Sequence, residues 1–366
     1  MELQLVDILG QYKRIKDEID AAIQRVLDSG QFVLGKEVKE FEDAVAQYLD
    51  VEHAVGCASG TDALQVALMA LGVGPGDEVI TSPFTFVATV ETIALLGAKP
   101  VYVDVEPTSF NIDAQHIENA ITKKTKAIVP VHLFGQPADM ERILDIARRH
   151  NLKVIEDAAQ AIGAEYKGKK AGTLADAGCV SFFPSKNLGA FGDAGLIVTR
   201  DKHVAERIRM LIVHGSKIRY HHDILGVNSR LDAIQAAILN VKLKYLDEWN
   251  AKRQECAELY DRLFEGTEIA VPHVKPNRTH IFHQYTVRVK RRDNLIQHLQ
   301  EKRIPYAIYY PVPLYRQKAF QHLSDPKQTF PVTEQVTREV LSLPMHTELT
   351  GEMQEYIAGS IKEFYS

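Results

Sequence analysis

The sequence from about residue 53 alternates short β-branched runs with segments of helical periodicity. About seven runs have the length and composition of strands, and helical patterns or long crossovers separate most of them. The runs are "HAVGCAS", "DEVITS", "KPVYVDV", "TKAIVPVHLFG", "KVIEDAA", "AGCVSFFP" and "GLIVTR". Because strands joined through helices pair mainly in parallel, the sequence predicts an α/β fold whose mainly parallel, seven-stranded sheet carries helices on both faces.

One long helix is predicted after this region, because apolar residues recur three or four apart on a single stripe. They are Leu231, Ile234, Ile238, Val241, Tyr245 and Trp249. The sequence beyond contains the strand candidate "QYTVRV", the helix candidate "DNLIQHLQEKRI", the strand candidate "YAIYYPV" and a helical carboxyl end. We therefore predict a large domain over residues 1–245, which begins with an amphipathic helix, and a smaller C-terminal α/β domain over 246–366.

Charge and composition restrict the partners of this chain. A formal charge of -5 provides no basic field, so we expect neither nucleic acid nor an anionic membrane as a partner. The amino terminus lacks the apolar core of a signal peptide, and no run approaches the roughly 18 apolar residues of a membrane span. Three widely separated cysteines fit a reducing compartment, which favours a cytoplasmic location.

A lysine in the stretch "SFFPSKNLGAFGDAG" draws attention, because Lys186 follows an apolar run that is expected to be buried. Burial disfavours the ammonium form and lowers the pKa of a lysine. A neutral amine is a nucleophile that can form a Schiff base with pyridoxal phosphate. The alternative is an ordinary solvated surface charge.

Two other segments supply what that cofactor requires. Asp157 ends the predicted strand in "KVIEDAAQ", where its carboxylate could contact the protonated pyridine nitrogen; the alternative is a helix N-cap. In "CASGTDALQVAL" a strand ends at Ser59-Gly60-Thr61 and a helix begins, so free amides and the Thr61 hydroxyl could bind the phosphate. The alternative for Thr61 is again an N-cap.

These blocks together resemble the DegT-type (StrS-like) nucleotide-sugar aminotransferases, which are fold-type-I enzymes dependent on pyridoxal 5'-phosphate. The resemblance is carried by "SGTDAL", "PFTFVAT", "VIEDAAQA", "SFFPSKNLGAFGDAG" and "GVNSRLDAIQAAIL", and it extends from "GQFVLGKEV" to "SLPMH". It implies that Lys186 is the catalytic Schiff-base lysine. The other cofactor residues that it implies are Gly60, Thr61 and Ser181 at the phosphate, Phe86 stacked on the ring, Asp157 at the pyridinium and Gln160 beside the ring hydroxyl. Phe86 could otherwise be a core residue.

The resemblance also implies a homodimer with shared active sites, in which Asn228 reaches the phosphate of the partner subunit. Arg230 would bind an acidic group of the substrate, although an arginine that opens a long helix is otherwise solvated. The implied reaction is ping-pong: L-glutamate leaves as 2-oxoglutarate, and a keto sugar on a nucleotide diphosphate then accepts the amino group. Lys186 serves as both base and acid.

The segments "RYHHDILGVNSRLD", "YYPVPLYRQ" and "LSLPMH" resemble most the branch that aminates carbon 3 of UDP-2-acetamido-2-deoxy-3-oxo-glucuronate in surface-polysaccharide (lipopolysaccharide) synthesis. Tyr309 and Tyr310 are then substrate-side residues. That branch commonly has histidine where this chain has Tyr309, so dTDP-linked 3-oxo or 4-oxo 6-deoxy sugars are the alternative acceptors. More remote alternatives are a retro-aldol or elimination catalyst and a non-enzymatic pyridoxal-binding regulator, although no helix-turn-helix or basic stripe favours regulation.

The histidines do not predict a metal site. His221 and His222 are adjacent, so both rings would rarely face one ion, and no cysteine or carboxylate cluster completes that pair or His280 with His283. We expect surface or substrate-side histidines. The sequence assigns no clear role to His214.

Overall fold

A computed structural model describes residues 3–366. Its strands are β1 (His53–Cys57), β2 (Glu78–Thr81), β3 (Lys99–Tyr102), β4 (Thr125–Ile128), β5 (Lys153–Asp157), β6 (Glu165–Tyr166), β7 (Lys169–Lys170), β8 (Ala177–Ser181), β9 (Gly195–Thr199), β10 (Ser216–Ile218), β11 (His221–His222), β12 (Tyr285–Arg288) and β13 (Val340–Leu343). Its α-helices are α1 (Ile8–Arg14), α2 (Lys16–Ser29), α3 (Lys36–Leu49), α4 (Gly60–Ala70), α5 (Ala88–Leu95), α6 (Met140–His150), α7 (Lys202–Leu211), α8 (Ala233–Leu243), α9 (Leu246–Phe264), α10 (Arg292–Glu301), α11 (Pro331–Glu339) and α12 (Gly351–Tyr365).

The seven predicted strand runs form one sheet in the order β1-β9-β8-β5-β4-β2-β3. The contacts of β2 with β3 and β4, and those of β5 with β4 and β8, are parallel. Only β9 runs against its two neighbours, β1 and β8. The predicted mainly parallel, seven-stranded sheet is therefore confirmed.

Helices cover both faces of this sheet. On β9, Leu196 and Val198 pack into a core with α2, α3 and α8, whereas Ile197 packs into a second core with α4 and α7. Adjacent side chains of a strand point to opposite faces, so an unbroken apolar strand such as β9 requires a helical layer on each side. The continuous apolar composition of "GLIVTR" has this cause.

The C-terminal part has its own apolar core, between the antiparallel pair of β12 and β13 and the helices α9, α10 and α12. Helix α9 begins at Leu246, next to the predicted domain boundary. The amino terminus crosses that boundary: Leu3 packs against this core, and the Met345 amide donates a hydrogen bond to the Leu5 carbonyl. In the described part of the chain, no helix is long and apolar enough to span a bilayer.

Three predictions about this region are wrong in detail. The long helix is interrupted after Leu243, where the Tyr245 amide bonds to the Lys242 carbonyl three residues back and α9 starts anew. The segment "YAIYYPV" is not a strand; only Ala307 makes a β-bridge, to Ser342, and Pro311 has no amide hydrogen to continue pairing. The helical carboxyl end is divided by β13, which had not been predicted.

Candidate active site

A cavity of about 610 Å³ opens at the carboxyl ends of the central strands. Asp157 ends β5 and Ser181 ends β8, and parallel pairing brings these ends to one edge of the sheet. Nine of the eleven predicted site residues line the cavity: Gly60, Thr61, Phe86, Asp157, Gln160, Ser181, Lys186, Tyr309 and Tyr310. Ligands of open α/β sheets bind at this edge, which makes the cavity the candidate active site.

The first turn of α4 provides amide donors at one end of the cavity. Ser59 is the N-cap, and its hydroxyl oxygen accepts a hydrogen bond of 3.1 Å from the Asp62 amide. The amides of Gly60 and Thr61 precede any intrahelical acceptor, so they and the positive end of the helix dipole are available to an anion. Thr61 is inside the helix, so the alternative that it is the N-cap is wrong.

Gly60 and Ser181 approach each other closely at this turn. A Cβ placed on Gly60 would lie 2.5 Å from the Ser181 Cβ and 2.9 Å from its Oγ. Only glycine therefore lets the α4 turn and the end of β8 meet, and this contact brings a hydroxyl next to the free amides. The group of donors suits a phosphate.

Asp157 lies on the floor of the cavity. Its Oδ2 accepts a hydrogen bond of 2.7 Å from Thr89 Oγ1, and its Oδ1 accepts one of 3.2 Å from the Ala159 amide. Burial raises the pKa of Asp157, and the Thr89 hydrogen bond opposes that shift. No helix begins in the described turn that follows Asp157, so the N-cap alternative is wrong.

Lys186 lies in the loop after β8, with its side chain on the cavity wall. The loop folds tightly: the Lys186 amide donates to the Phe183 carbonyl at 2.8 Å, and the Ala190 amide donates to the Phe182 carbonyl at 2.8 Å. Burial lowers the pKa of Lys186 to about 8, although the Asp157 carboxylate acts in the opposite direction. A solvated surface charge is therefore the wrong description of Lys186, whose neutral form is more accessible near neutral pH than that of an ordinary lysine.

Phe86 and Gln160 complete the walls. Phe86 is 54% exposed, so the core alternative is wrong; its ring lines the cavity and lies 6.4 Å from that of Tyr310. The side-chain oxygen of Gln160, Oε1, accepts a hydrogen bond of 2.6 Å from the Phe134 backbone amide. The side-chain nitrogen of Gln160, Nε2, donates one of 3.3 Å to the Tyr310 hydroxyl. These bonds fix the orientation of the Gln160 amide.

Two predicted site residues do not line this cavity. Asn228 is exposed and pairs with Val213 in an isolated β-bridge, and Arg230 is partly exposed two residues further on. A single chain thus leaves both outside the candidate site.

Two residues belong to the site although the sequence analysis gave them no part in it. Thr89 lies in the quoted "PFTFVAT" block, and His283 was considered only as a metal ligand. No group of potential ligands close enough for a metal ion occurs in the described residues.

Pyridoxal phosphate fits this arrangement of donors. The phosphate matches the amides of Gly60 and Thr61 with the Ser181 hydroxyl, and the buried Asp157 carboxylate matches a protonated pyridine nitrogen. Lys186, with its lowered pKa, matches the cofactor aldehyde. These residues lie on three separate segments that the fold brings to one cavity.

Comparison with known proteins identifies relatives along nearly the whole chain. A "Pleiotropic regulatory protein" of Geobacillus stearothermophilus is 50% identical over 100% of this chain and 99% of its own length. The "UDP-2-acetamido-2-deoxy-3-oxo-D-glucuronate aminotransferase" of Pseudomonas aeruginosa is also 50% identical, over 95% of this chain and 96% of its own. The crystal structure of Streptomyces venezuelae DesV "in complex with ketimine intermediate" superposes with a TM-score of 0.97 at 42% identity, covering 99% of this chain and 98% of that one.

The fold-type-I architecture expected from the sequence is confirmed by this structural likeness. Residues 13–362 match the DegT/DnrJ/EryC1/StrS aminotransferase family. The chain therefore belongs to the DegT/DnrJ/EryC1/StrS family and is an aminotransferase whose cofactor is pyridoxal 5'-phosphate.

Proposed function

We propose that this enzyme transfers the amino group of L-glutamate to carbon 3 of UDP-2-acetamido-2-deoxy-3-oxo-glucuronate, in the synthesis of a surface polysaccharide such as lipopolysaccharide. One observation carries the amino transfer: Lys186, with a lowered pKa, and the buried Asp157 share one cavity with the first turn of α4 at Gly60 and Thr61. The sugar is supported by the Pseudomonas aeruginosa relative, which covers nearly the whole chain.

The residues of this chain have separate tasks in that reaction. The amides of Gly60 and Thr61 and the Ser181 hydroxyl hold the phosphate, and Phe86 covers one face of the ring. The Asp157 carboxylate keeps the proton on the pyridine nitrogen, because the carboxylate and the pyridinium stabilise each other away from water. When bound, the cofactor supplies an electron sink for the carbon that loses its proton.

Lys186 moves the proton. As a neutral amine it accepts the α-proton of glutamate at Nζ, and the resulting ammonium would donate that proton to a different carbon, the one of the cofactor that keeps the amino nitrogen. A pKa of about 8 suits both directions, because it lies closer to neutral pH than the ordinary value of a lysine and makes both protonation states accessible. After 2-oxoglutarate leaves, the same lysine performs the two transfers in reverse order on the sugar carbon.

The charges of the substrates support a homodimer with shared sites. Glutamate, the uronate and the nucleotide diphosphate are anionic, yet Lys186 is the one lysine or arginine among the described residues that line the cavity. We propose that Asn228 and Arg230 of a second copy enter the site, with Asn228 at the phosphate and Arg230 at a substrate carboxylate. Exposed apolar side chains near residues 32–34 and 218–225 provide surface for such a contact: Phe32, Val33, Leu34, Ile218, Tyr220 and Leu225.

Two alternatives follow from specific observations. Tyr309 lines the cavity where the favoured branch commonly has histidine, so dTDP-linked 3-oxo or 4-oxo 6-deoxy sugars are the second class of acceptor. The name of the Geobacillus relative raises regulation without catalysis, but the combination of Lys186, Asp157 and Gly60 favours an enzyme. The three cysteines of this chain are free and buried, which supports the cytoplasm as the location of the protein.

The acceptor is tested in the reverse direction, from amino sugar and 2-oxoglutarate, by measuring the glutamate formed. A UDP-linked 3-amino-glucuronate should react much faster than its 6-hydroxymethyl counterpart. The loss of one charge-assisted pair typically costs about 1.5–3 kcal/mol, or roughly ten- to a hundredfold in rate. Arg230→Lys should reduce this preference, because a point charge does not reproduce a bidentate contact. Equal or better turnover of dTDP-linked 6-deoxy amino sugars would overturn the uronate assignment.

A further inference from the structure

A second lysine is buried behind the candidate active site. Lys242 lies on α8, is 1% exposed and does not line the cavity. Among residues 3–366 no carboxylate pairs with its ammonium, and burial alone lowers its pKa, to about 8. A buried charge without a counter-ion is costly, so the contacts that this ammonium does make must compensate for its burial.

The Lys242 ammonium contacts the loop that carries Lys186. Its Nζ donates a hydrogen bond to the Gly189 carbonyl and lies 5.2 Å from the ring centroid of Phe191 and 5.7 Å from that of Trp249. The faces of aromatic rings attract a cation. Gly189 is buried, and within the described residues no other donor bonds to its carbonyl. Loss of the ammonium would therefore leave a buried carbonyl without a partner.

One peptide group connects this contact to Lys186. The Gly189 carbonyl and the Ala190 amide belong to the same planar unit. The Ala190 amide donates to the Phe182 carbonyl at 2.8 Å, and this hydrogen bond closes the loop around Lys186. Lys242 thus fixes the orientation of the peptide group at which the Lys186 loop closes.

A second residue of α8 holds the same loop. Gln235 lies seven positions before Lys242, so the two side chains are about two turns apart on one side of the helix. The Gln235 Oε1 accepts a hydrogen bond of 2.8 Å from the Phe191 amide, and its Nε2 makes a longer contact of 3.5 Å with the Phe191 carbonyl. Like Lys242, Gln235 lies outside the cavity lining. Helix α8 therefore holds the backbone of the loop from behind.

We propose that Lys242 and Gln235 are positioning residues for Lys186: from outside the cavity they hold the backbone of residues 189–191 and keep the Lys186 amine directed at the cofactor aldehyde. This inference rests on the proposed role of Lys186 and deepens it. The free amides at the start of α4 and the Asp157 carboxylate at the end of β5 belong to other segments. The two contacts of α8 consequently act on the lysine and not on the rest of the cofactor site.

Two forms of the cofactor separate this role from a general contribution to the site. Pyridoxamine phosphate has the phosphate and the pyridine nitrogen of pyridoxal phosphate, but it carries an amine in place of the aldehyde and forms no bond to a lysine. Its Kd depends on the phosphate donors and on Asp157, whereas the Kd of pyridoxal phosphate includes the bond to Lys186 as well. The ratio of the pyridoxal phosphate Kd to the pyridoxamine phosphate Kd therefore rises when Lys186 is misplaced.

Both Kd values are measured by calorimetric titration of the cofactor-free protein near neutral pH, where the Lys242 ammonium predominates. Lys242→Met should raise the Kd of pyridoxal phosphate roughly tenfold, as for one lost hydrogen bond to a charged group, and should change that of pyridoxamine phosphate by less than about twofold. Gln235→Ala removes the Phe191 contact without altering a buried charge, and it should raise the ratio as well. Lys244→Met is the matched control, because this lysine pairs with Glu18 at the surface; both Kd values should stay unchanged.

A ratio that stays at the wild-type value in either variant would overturn the proposal, and so would an equal rise in Lys244→Met. If Lys242→Met does not fold, Gln235→Ala alone decides. Borohydride labelling of the wild type with pyridoxal phosphate separates this inference from the role of Lys186 on which it rests. Label on another lysine would overturn both, whereas label on Lys186 with unchanged ratios would overturn the inference alone. No sugar or amino donor takes part, so the acceptor assay and this test fail independently.

Discussion

The Thr89 hydroxyl donates a hydrogen bond of 2.7 Å to the Asp157 carboxylate, and both side chains are buried. Thr89 in turn lies 3.2 Å from the Thr85 hydroxyl, which lines the cavity. The segment before and within α5 thus holds the carboxylate that we propose as the partner of the pyridine nitrogen.

Thr89→Val should weaken catalysis and shift its pH dependence. The Thr89 hydrogen bond lowers the pKa of Asp157, so its removal raises that pKa, and the required carboxylate is lost at a higher pH as the solution is acidified. We expect the acidic limb of kcat/KM to move up by about one pH unit. Thr92→Val is the matched control, because the Thr92 hydroxyl bonds only to carbonyls of its own helix, at Ala88 and Thr89. Identical pH profiles for both variants would contradict the role given to Thr89.

Gly60→Ala should reduce cofactor affinity. The new methyl would lie 2.5 Å from the Ser181 Cβ, so the α4 turn and β8 must separate at the phosphate donors. Overpacking of this kind typically costs about 1–3 kcal/mol, which corresponds to roughly tenfold or more in Kd. Absorbance titration of the cofactor-free protein with pyridoxal phosphate measures this Kd. Gly359→Ala, on an exposed turn of α12 with open space at the Cβ, should leave the Kd unchanged.

Glu156→Gln should destabilise the fold beneath the site. The buried Glu156 carboxylate accepts hydrogen bonds from His132 Nε2 and from three amides, those of Gly172, Leu174 and Ala175. An amide nitrogen at one of these positions would face donors instead of accepting from them. We expect a loss of about 2–4 kcal/mol in the free energy of unfolding, measured by urea denaturation. Glu255→Gln, at an exposed ion pair, should change it by less than about 0.5 kcal/mol; equal losses would contradict this account.

Mixed dimers test the shared site. If Asn228→Ala and Lys186→Ala are each inactive, hybrids of the two should recover part of the activity, because both lesions fall in one site and leave the other intact. Activity is measured after co-refolding of differently tagged chains. Hybrids that form without any recovery would count against an Asn228 that reaches across an interface.

The sequence predicts those parts of the fold that follow from a regular apolar pattern. All seven sheet strands are predictable because each is a largely apolar, largely buried run, and helices or long crossovers separate most of them. The segment around Tyr309 has the same apolar character but fills the cavity wall and continues into prolines, so its composition reflects packing and not pairing. The stripe from Leu231 to Trp249 continues across the break at Tyr245, because two helices can share one buried side.

The site was predictable where a residue type follows from chemistry, as with Lys186 and Asp157. Thr89 and His283 have ordinary packing alternatives, and only their hydrogen bonds, to Asp157 and to Asn187, distinguish them. Asn228 and Arg230 lie outside the cavity of a single chain, and this position is the one expected if, as proposed, a second copy contributes them.

The most direct measurement of the central claim is the identity of the lysine that binds the cofactor. Borohydride reduction of the yellow holoenzyme, followed by peptide mass spectrometry, should place the label on Lys186. Lys242 is an internal control in the same experiment, because burial also lowers its pKa to about 8. Lys242 lies outside the cavity, between the rings of Phe191 and Trp249. Label on Lys186 alone, with a colourless and inactive Lys186→Ala variant, is the predicted result. Label on Lys242, or full transaminase activity in Lys186→Ala, would contradict the account.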